Sequence, residues 1–324
     1  MPERDNTPVI AEGLSITFRD QTVQRDPETF NNSFLIGYDF DGTCFATFTS
    51  TGGPNVNEAY EIAITEVLGP RAVQAFIDAG GIHNRAPSDI IHELVISDPS
   101  HVDHALDHAI QHFAQPEAIG DIGLDMVARF ADRNIIKPDE LTMRAITEML
   151  VMRKKTVLFS CINTEWPKPI GGFYEHWEDL HTRKIGEDEW RQVNLAIVSS
   201  AHTDFIRKVL EVSGLPQPDV YMTDDEMRRQ VHPRTKPDPF ALELAREAWL
   251  NAYAVPTDLR VSEPFMQAVK ARQVYIGDDP EKDGKMAIND NIKFIHQDGQ
   301  PDTWGMIGKQ LVKAISDRVG FNAK

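Results

Sequence analysis

Thiols are scarce in this sequence: Cys44 and Cys161 are the only two cysteines in 324 residues. Two thiols cannot build a disulfide framework or a four-ligand zinc site by themselves, and they fit a reducing compartment. No apolar stretch approaches the length that spans a bilayer. The opening residues, MPERDNTPVI, contain no apolar core of the kind a signal peptide needs. These absences lead to the expectation of a soluble cytoplasmic protein with no membrane partner. Basic residues are also few, with 33 Lys and Arg against 50 Asp and Glu and a net charge of -17. That balance weighs against a sequence-independent grip on a phosphate backbone, so no nucleic-acid partner is expected. It leaves room for a small phosphorylated ligand, because one local pocket can be positive on an acidic protein. Internal repeats and low-complexity tracts are absent too.

The hydrophobic fraction of 41% and charged fraction of 26% are those of a globular chain with a real core. The length allows two domains, or one with a large insertion. Four short segments read as strands that end in polar residues: FLIGYDFD, VNLAIVSS, PDVYMTDD and RQVYIGDD. Near-continuous Val, Ile, Leu and aromatic residues suit strands buried on both faces, as in parallel sheets. Helical stretches separate them, at Thr203–Gly214 and Pro239–Tyr253, so a doubly wound α/β sheet is expected. IKFIHQ adds a further strand and Met306–Val319 a closing helix. Residues 51–165 differ, being a run of helical periodicity without buried-strand patterning. We therefore expect an α/β core over 1–50 and 166–324, interrupted after its first strand by a helical block over 51–165. Residues 1–30 form a polar extension with one strand-like patch, GLSITF, and oligomeric state is not readable.

Open α/β sheets bind ligands at the carboxyl ends of their strands. Those ends carry DFDGT, SS and GDD here, and a loop supplies RTKPDP. Clustered carboxylates at Asp39, Asp41, Asp278, Asp279 and Asp283 need a counter-ion. Oxygen ligands beside phosphate suit Mg²⁺. A lysine and a serine hydroxyl add charge and hydrogen bonds for phosphoryl oxygens. A carboxylate can also serve as nucleophile, forming an aspartyl-phosphate that water hydrolyses.

With these residues the chain resembles the haloacid dehalogenase (HAD) superfamily, on its phosphotransferase side. The family's DxDGT motif corresponds to Asp39, Asp41, Gly42 and Thr43, and its Ser or Thr motif to Ser199, with Ser200 as neighbouring competitor. Its lysine motif, often followed by Pro-Asp-Pro, corresponds to Lys236, and its GD motif with a later Asp to Gly277, Asp278 and Asp283. The resemblance implies a Rossmann-like core with a helical cap inserted after the first strand. It implies that Asp39 attacks phosphorus while Asp41 serves as acid and then base. Asp39, the Asp41 carbonyl and Asp278 would hold Mg²⁺, with Asp283 or Asp279 supporting the shell. Ser199 and Lys236 would grip the phosphoryl group, with Gly42, Thr43 and Ser200 as further phosphate contacts. The presence of Asp41 favours phosphoryl transfer over dehalogenation. The expected reaction is hydrolysis of a small phosphorylated metabolite, and a phosphomutase is the alternative of the same chemistry. A receiver-like signalling domain or a degenerate phosphate-binding protein is the alternative of another class; the large insertion and Asp41 argue against the first.

Two features depart from the family pattern. The later Asp of the GD motif stands five positions after Asp278, beside a doubled Asp. The interval from Asp39 to Ser199 is long, so the cap is enlarged. Within it the resemblance implies that the loop Ala79–Ile90 would set substrate specificity, with Arg85 and His83 as candidate contacts; the alternative is a capping turn with Ser88 at the helix start. His101, His104, His108 and His112 form a stripe read as a solvated flank instead of a metal site. The acidic run Asp224–Met227 reads as a solvated loop, the five tryptophans as packing anchors, and Cys44 as a non-catalytic thiol. YIGDD is similar to the metal-binding hairpin of template-copying polymerases, but an acidic chain lacks the basic channel those need.

Overall fold

The computed structural model describes residues 27–47, 56–81, 87–98, 100–113, 140–161, 167–182, 193–228, 230, 234–300 and 302–322. The chain divides into two compact units, Met1–Ala46 with Lys168–Lys324 and Thr47–Pro167.

The first unit begins with a 3-10 turn, Pro27–Asn32, and strand β1, Phe34–Tyr38. After the excursion through the second unit come β2 at Val193–Val198, β3 at Val220–Met222, β4 at Gln273–Gly277 and β5 at Lys293–His296. They form one sheet in the order β3-β2-β1-β4-β5, every pairing parallel. β1 is fully buried, as the unbroken apolar run FLIGY requires of a central strand covered on both faces. This is the doubly wound α/β architecture expected from the alternation of strand and helix patterns.

The two faces of the sheet are covered differently. On one, Leu35, Val198, Val220, Met222 and Tyr275 pack in a cluster with Leu242, Ala245 and Trp249 of the long helix Phe240–Ala252. Phe30 joins that cluster, its ring 5.1 Å from Trp249. Elsewhere in the unit Tyr38, Trp177, Phe173 and Trp304 form an aromatic cluster linking β1 to helices Phe173–Thr182 and Thr303–Asn322. Trp177, Trp249 and Trp304 are thus packing anchors. Trp166, Trp190 and the GLSITF patch lie outside the described residues.

The second unit consists of α-helices among its described residues. In chain order they are α1 (Val56–Leu68), α2 (Pro70–Asp78), α3 (Pro87–Ser97), α4 (Ser100–Phe113) and α5 (Glu140–Cys161). Their core is Tyr60, Ile64, Val67, Phe76, Ile91, Leu94, Ala105 and Met149 with their neighbours.

Two expectations about local surfaces are corrected. His101 and His108 are buried, with Ala105 between them on the inner stripe of α4. The His101 ring nitrogen Nδ1 lies 2.8 Å from the Leu94 carbonyl. The inner face of α4 is therefore rotated toward the histidines, and the bond from one ring nitrogen to a neighbouring helix's carbonyl offsets part of the cost of burying His101. Only His104 is exposed as expected, and the His112 side chain lies outside the described residues. Likewise Asp224–Met227 is not a loop but part of a short helix, Asp224–Arg228. Asp225 accepts the Thr203 amide at 2.9 Å and pairs with His202, and Glu226 accepts from Thr203 and Thr223. Asp225 thus satisfies an amide at the start of helix Thr203–Val212, whose N-cap residue His202 makes no side-chain capping bond.

Candidate active site

Asp39 follows β1 directly. Its amide donates to the Ile276 carbonyl at 2.9 Å, extending the β1–β4 pairing by one rung. The chain then turns back over Asp41–Phe45: the Gly42 amide reaches the Phe45 carbonyl at 2.9 Å, and the Cys44 and Phe45 amides share the Phe40 carbonyl at 3.1 Å. Gly42 sits at φ 77, and a Cβ there would lie 2.5 Å from Asp278 Oδ2. Only glycine allows both the turn and that approach. Cys44 is buried with its Sγ donating to the Asp39 carbonyl at 3.0 Å, and burial raises its pKa well above the usual thiol value, next to nearby Asp39 and Asp278. This environment disfavours the thiolate that a nucleophile needs.

At the tip of β4, Asp278 lies beside Asp39. A single π-helical turn, Pro280–Gly284, brings Asp283 back over the strand. One oxygen from each of Asp39, Asp278 and Asp283 lies within 4.8 Å of the others. Lys236 joins them from the loop before helix Phe240–Ala252, its Nζ donating to Asp39 Oδ1 at 2.7 Å and Asp283 Oδ1 at 2.8 Å. The wide turn explains the five-residue interval from Asp278 to Asp283, since a π turn carries more residues than an α turn.

The other candidates are distributed as follows. Asp41 is near enough to push up the Asp39 pKa. Ser199 is buried at the end of β2, its amide bonded to Met222 and its Oγ accepting the Ala201 amide at 3.2 Å; Ser200 beside it is exposed. Asp279 is not in the carboxylate cluster: it caps the π turn, accepting the Glu281 and Lys282 amides at 2.9 and 3.1 Å. Thr43 and Gly42, expected as phosphate contacts, are engaged within the protein. Thr43 is fully buried and donates to Asp278 Oδ1 at 2.8 Å, so it orients a carboxylate. The Gly42 amide belongs to the turn. His83 and Arg85 lie outside the described residues.

Burial lifts the Asp39 pKa to about 8; Lys236 pulls it down, while Asp283, Asp278 and Asp41 push it up. Asp278 is raised by burial too, against the Thr43 hydrogen bond. Burial alone would lower Lys236, but Asp283 and Asp39 outweigh it and hold the ammonium protonated. Three clustered carboxylates thus stand beside one ammonium, which bonds two of them. The donors are all oxygens, closely grouped, and the absence of a side chain at Gly42 lets the turn approach the Asp278 carboxylate closely. This set fits a small hard divalent cation such as Mg²⁺.

Sequence reasoning missed Tyr275, whose hydroxyl accepts from Lys236 Nζ at 2.7 Å. It reads as one more apolar residue of VYIG, and nothing local distinguishes it.

The fold and the gathering of the four motifs at the carboxyl end of the sheet are those the HAD resemblance implies. No protein-family model and no curated protein matches the sequence. Among solved structures, the chain is similar to the HAD-hydrolase YfnB from Bacillus subtilis bound to magnesium, at 13% identity and TM-score 0.34, over 83% of this chain and 92% of that one. It is also similar to a HAD-superfamily hydrolase of subfamily IA from Geobacter sulfurreducens PCA, at 14% identity and TM-score 0.33, over 82% and 87%. A haloacid dehalogenase-like family hydrolase from Xanthomonas campestris has 12% identity and TM-score 0.38, over 89% and 95%. Superpositions this loose carry no weight for the chemistry of the site.

Proposed function

We propose that this chain is a HAD-superfamily hydrolase that cleaves a small phosphate monoester by way of an aspartyl-phosphate on Asp39. The observation that carries the reading is the cluster of Asp39, Asp278 and Asp283 within 4.8 Å of one another, with Lys236 bonded to two of them. Asp39, Asp278 and the Asp41 carbonyl would hold Mg²⁺, with Asp283 in support. When bound, that ion neutralises charge on the phosphoryl oxygens. Lys236 and Ser199 hold the same oxygens by charge and hydrogen bonding.

A carboxylate oxygen of Asp39 forms a bond to phosphorus as the bond from phosphorus to the ester oxygen breaks. Asp41 gives its proton to the departing alkoxide. Water then attacks phosphorus, Asp41 takes its proton, and the Asp39–phosphorus bond cleaves to release orthophosphate. Ester and water become alcohol and phosphate, and both aspartates return to their starting state. Burial, together with the neighbouring carboxylates, holds Asp39 back from ionising, and a cation requirement is the natural consequence.

The test is a screen of phosphorylated metabolites and p-nitrophenyl phosphate with and without Mg²⁺, using Asp39→Asn as the blank. Turnover that needs Mg²⁺ and falls roughly a thousandfold or more in Asp39→Asn is expected. Turnover that survives in Asp39→Asn would remove the nucleophile assignment.

A further inference from the structure

Tyr275 is fully buried in β4, two residues ahead of the Gly277–Asp278 turn, yet its hydroxyl touches three parts of the site. It accepts from Lys236 Nζ at 2.7 Å, reaches the Val198 carbonyl at 2.8 Å, and lies 3.2 Å from Asp283 Oδ1. A hydroxyl has one proton, and of its two acceptors the Val198 carbonyl is the nearer. Its lone pairs then face the ammonium. Val198 is the residue immediately before Ser199. One hydroxyl therefore joins the lysine, the end of the strand that carries the serine, and the aspartate of the π turn.

The lysine's hydrogen bonding is complete only with this hydroxyl. An ammonium has three N–H donors, and its acceptors are Asp39, Asp283 and Tyr275. Two of these are carboxylates and compete strongly for the charge; the third is neutral. When a phosphoryl group arrives, the ammonium must exchange a carboxylate contact for a phosphoryl oxygen. The bond to Tyr275 is the one it keeps, a fixed point about which it turns.

The neighbouring strand makes room for this ring. Gly37 of β1 stands in register with Tyr275, and a Cβ at Gly37 would lie 3.0 Å from Tyr275 Cδ2. Glycine weakens a central strand, and here its place is explained by the ring beside it.

Resting on the phosphoryl-transfer reading above, we infer that Tyr275 is a positioning residue, its hydroxyl holding the Lys236 ammonium against Val198 so that the charge stays aimed between Asp39 and Asp283. Tyr275→Phe keeps the ring and removes only the hydroxyl. Two readouts apply. In protein with ¹⁵N-labelled lysine, the buried ammonium of Lys236, assigned by its loss in Lys236→Met, gives a slowly exchanging NMR signal. That signal should exchange faster or vanish in Tyr275→Phe. With p-nitrophenyl phosphate and Mg²⁺, kcat/KM should fall roughly tenfold in Tyr275→Phe. The same change on a Lys236→Met background should cost little more, since the hydroxyl acts through the lysine. Should Tyr275→Phe fold poorly, Gly37→Ala presses a Cβ to 3.0 Å from the ring with the hydroxyl intact, and a shifted or faster-exchanging ammonium signal is expected. An unchanged Lys236 signal, or losses that simply add in the double variant, would overturn the inference. If the wild type turns over no phosphate ester, the proposed reaction fails, and the ammonium signal still decides the role of Tyr275.

Discussion

Gly277→Ala is the sharpest perturbation of the carboxylate cluster, because it leaves every carboxylate in the sequence. Gly277 closes β4 in ordinary backbone geometry, so alanine meets no conformational penalty there. The obstacle is contact: a Cβ would lie 2.6 Å from the Asp283 Cβ and 2.5 Å from its Cγ. These are the root atoms of the side chain, so rotation cannot relieve them, and the π turn itself must move. Overpacking of this kind costs about 1–3 kcal/mol. Asp283 would also lose its place opposite Lys236, a charge-assisted contact of 2.8 Å worth about 1.5–3 kcal/mol. Relaxation shares these costs, so a net loss of roughly 2–4 kcal/mol is expected. Urea unfolding followed by tryptophan fluorescence would measure it, since Trp177, Trp249 and Trp304 all report on this unit. The Mg²⁺ concentration for half-maximal activity should rise at least about tenfold, as for other disturbed ligand shells. Asp283→Gly removes the atoms struck by the new methyl, so Gly277→Ala should cost much less stability on that background. A Gly277→Ala protein within 0.5 kcal/mol of wild type, taken as roughly the scatter of neutral substitutions, would refute the packing of Asp283 against β4.

Two further outcomes follow from buried polar groups in the same unit. His176 is buried against Tyr38 and Trp304, and burial lowers its pKa from 6.5 to about 4. The unfolded chain binds the proton first, so this stability is full above about pH 6.5 and is lost as pH falls through 4. The loss amounts to about 3 kcal/mol between pH 7 and 4. Denaturation of wild type and His176→Gln across that range should show the variant losing correspondingly less; parallel losses would mean His176 is protonated in the fold. Arg246 is buried with Asp290 and bonds Gln273 at 2.9 Å, while Lys270 also reaches Asp290 at 2.9 Å. Arg246→Met strips one of two cations from a buried carboxylate. About 3 kcal/mol of stability should go, at the low end for a broken buried pair because Lys270 remains. A loss below about 1 kcal/mol in urea titration would show that the pair contributes only as an exposed one does.

Much of the architecture was already written along the chain. Buried parallel strands need apolar residues on both faces, so FLIGY, LAIV and VYIG announce themselves without knowledge of their neighbours. The four motifs were legible for a related reason. A parallel sheet delivers the residues after each strand to one edge, so Asp39, Ser199 and Asp278 had to converge wherever the helices between them ran. Lys236 follows as the cation that such a crowd of acids requires.

What the sequence could not distinguish is settled by contacts between residues far apart in the chain. Asp279 and Asp283 are both acids after the same strand, and only the π turn sends one to the Lys236 side and the other to amides of the turn. Thr43 reads as a phosphate contact, and only the fold shows that its hydroxyl donates to Asp278. His101 and His108 look solvated until α3 supplies a carbonyl for His101. Tyr275 has no local mark at all, and its importance comes from a lysine, a backbone carbonyl and a glycine contributed by three other segments. Periodicity and motif order are local properties and can be read from one chain. Which acceptor each donor finds depends on the packed neighbours, and that assignment belongs to the tertiary structure alone.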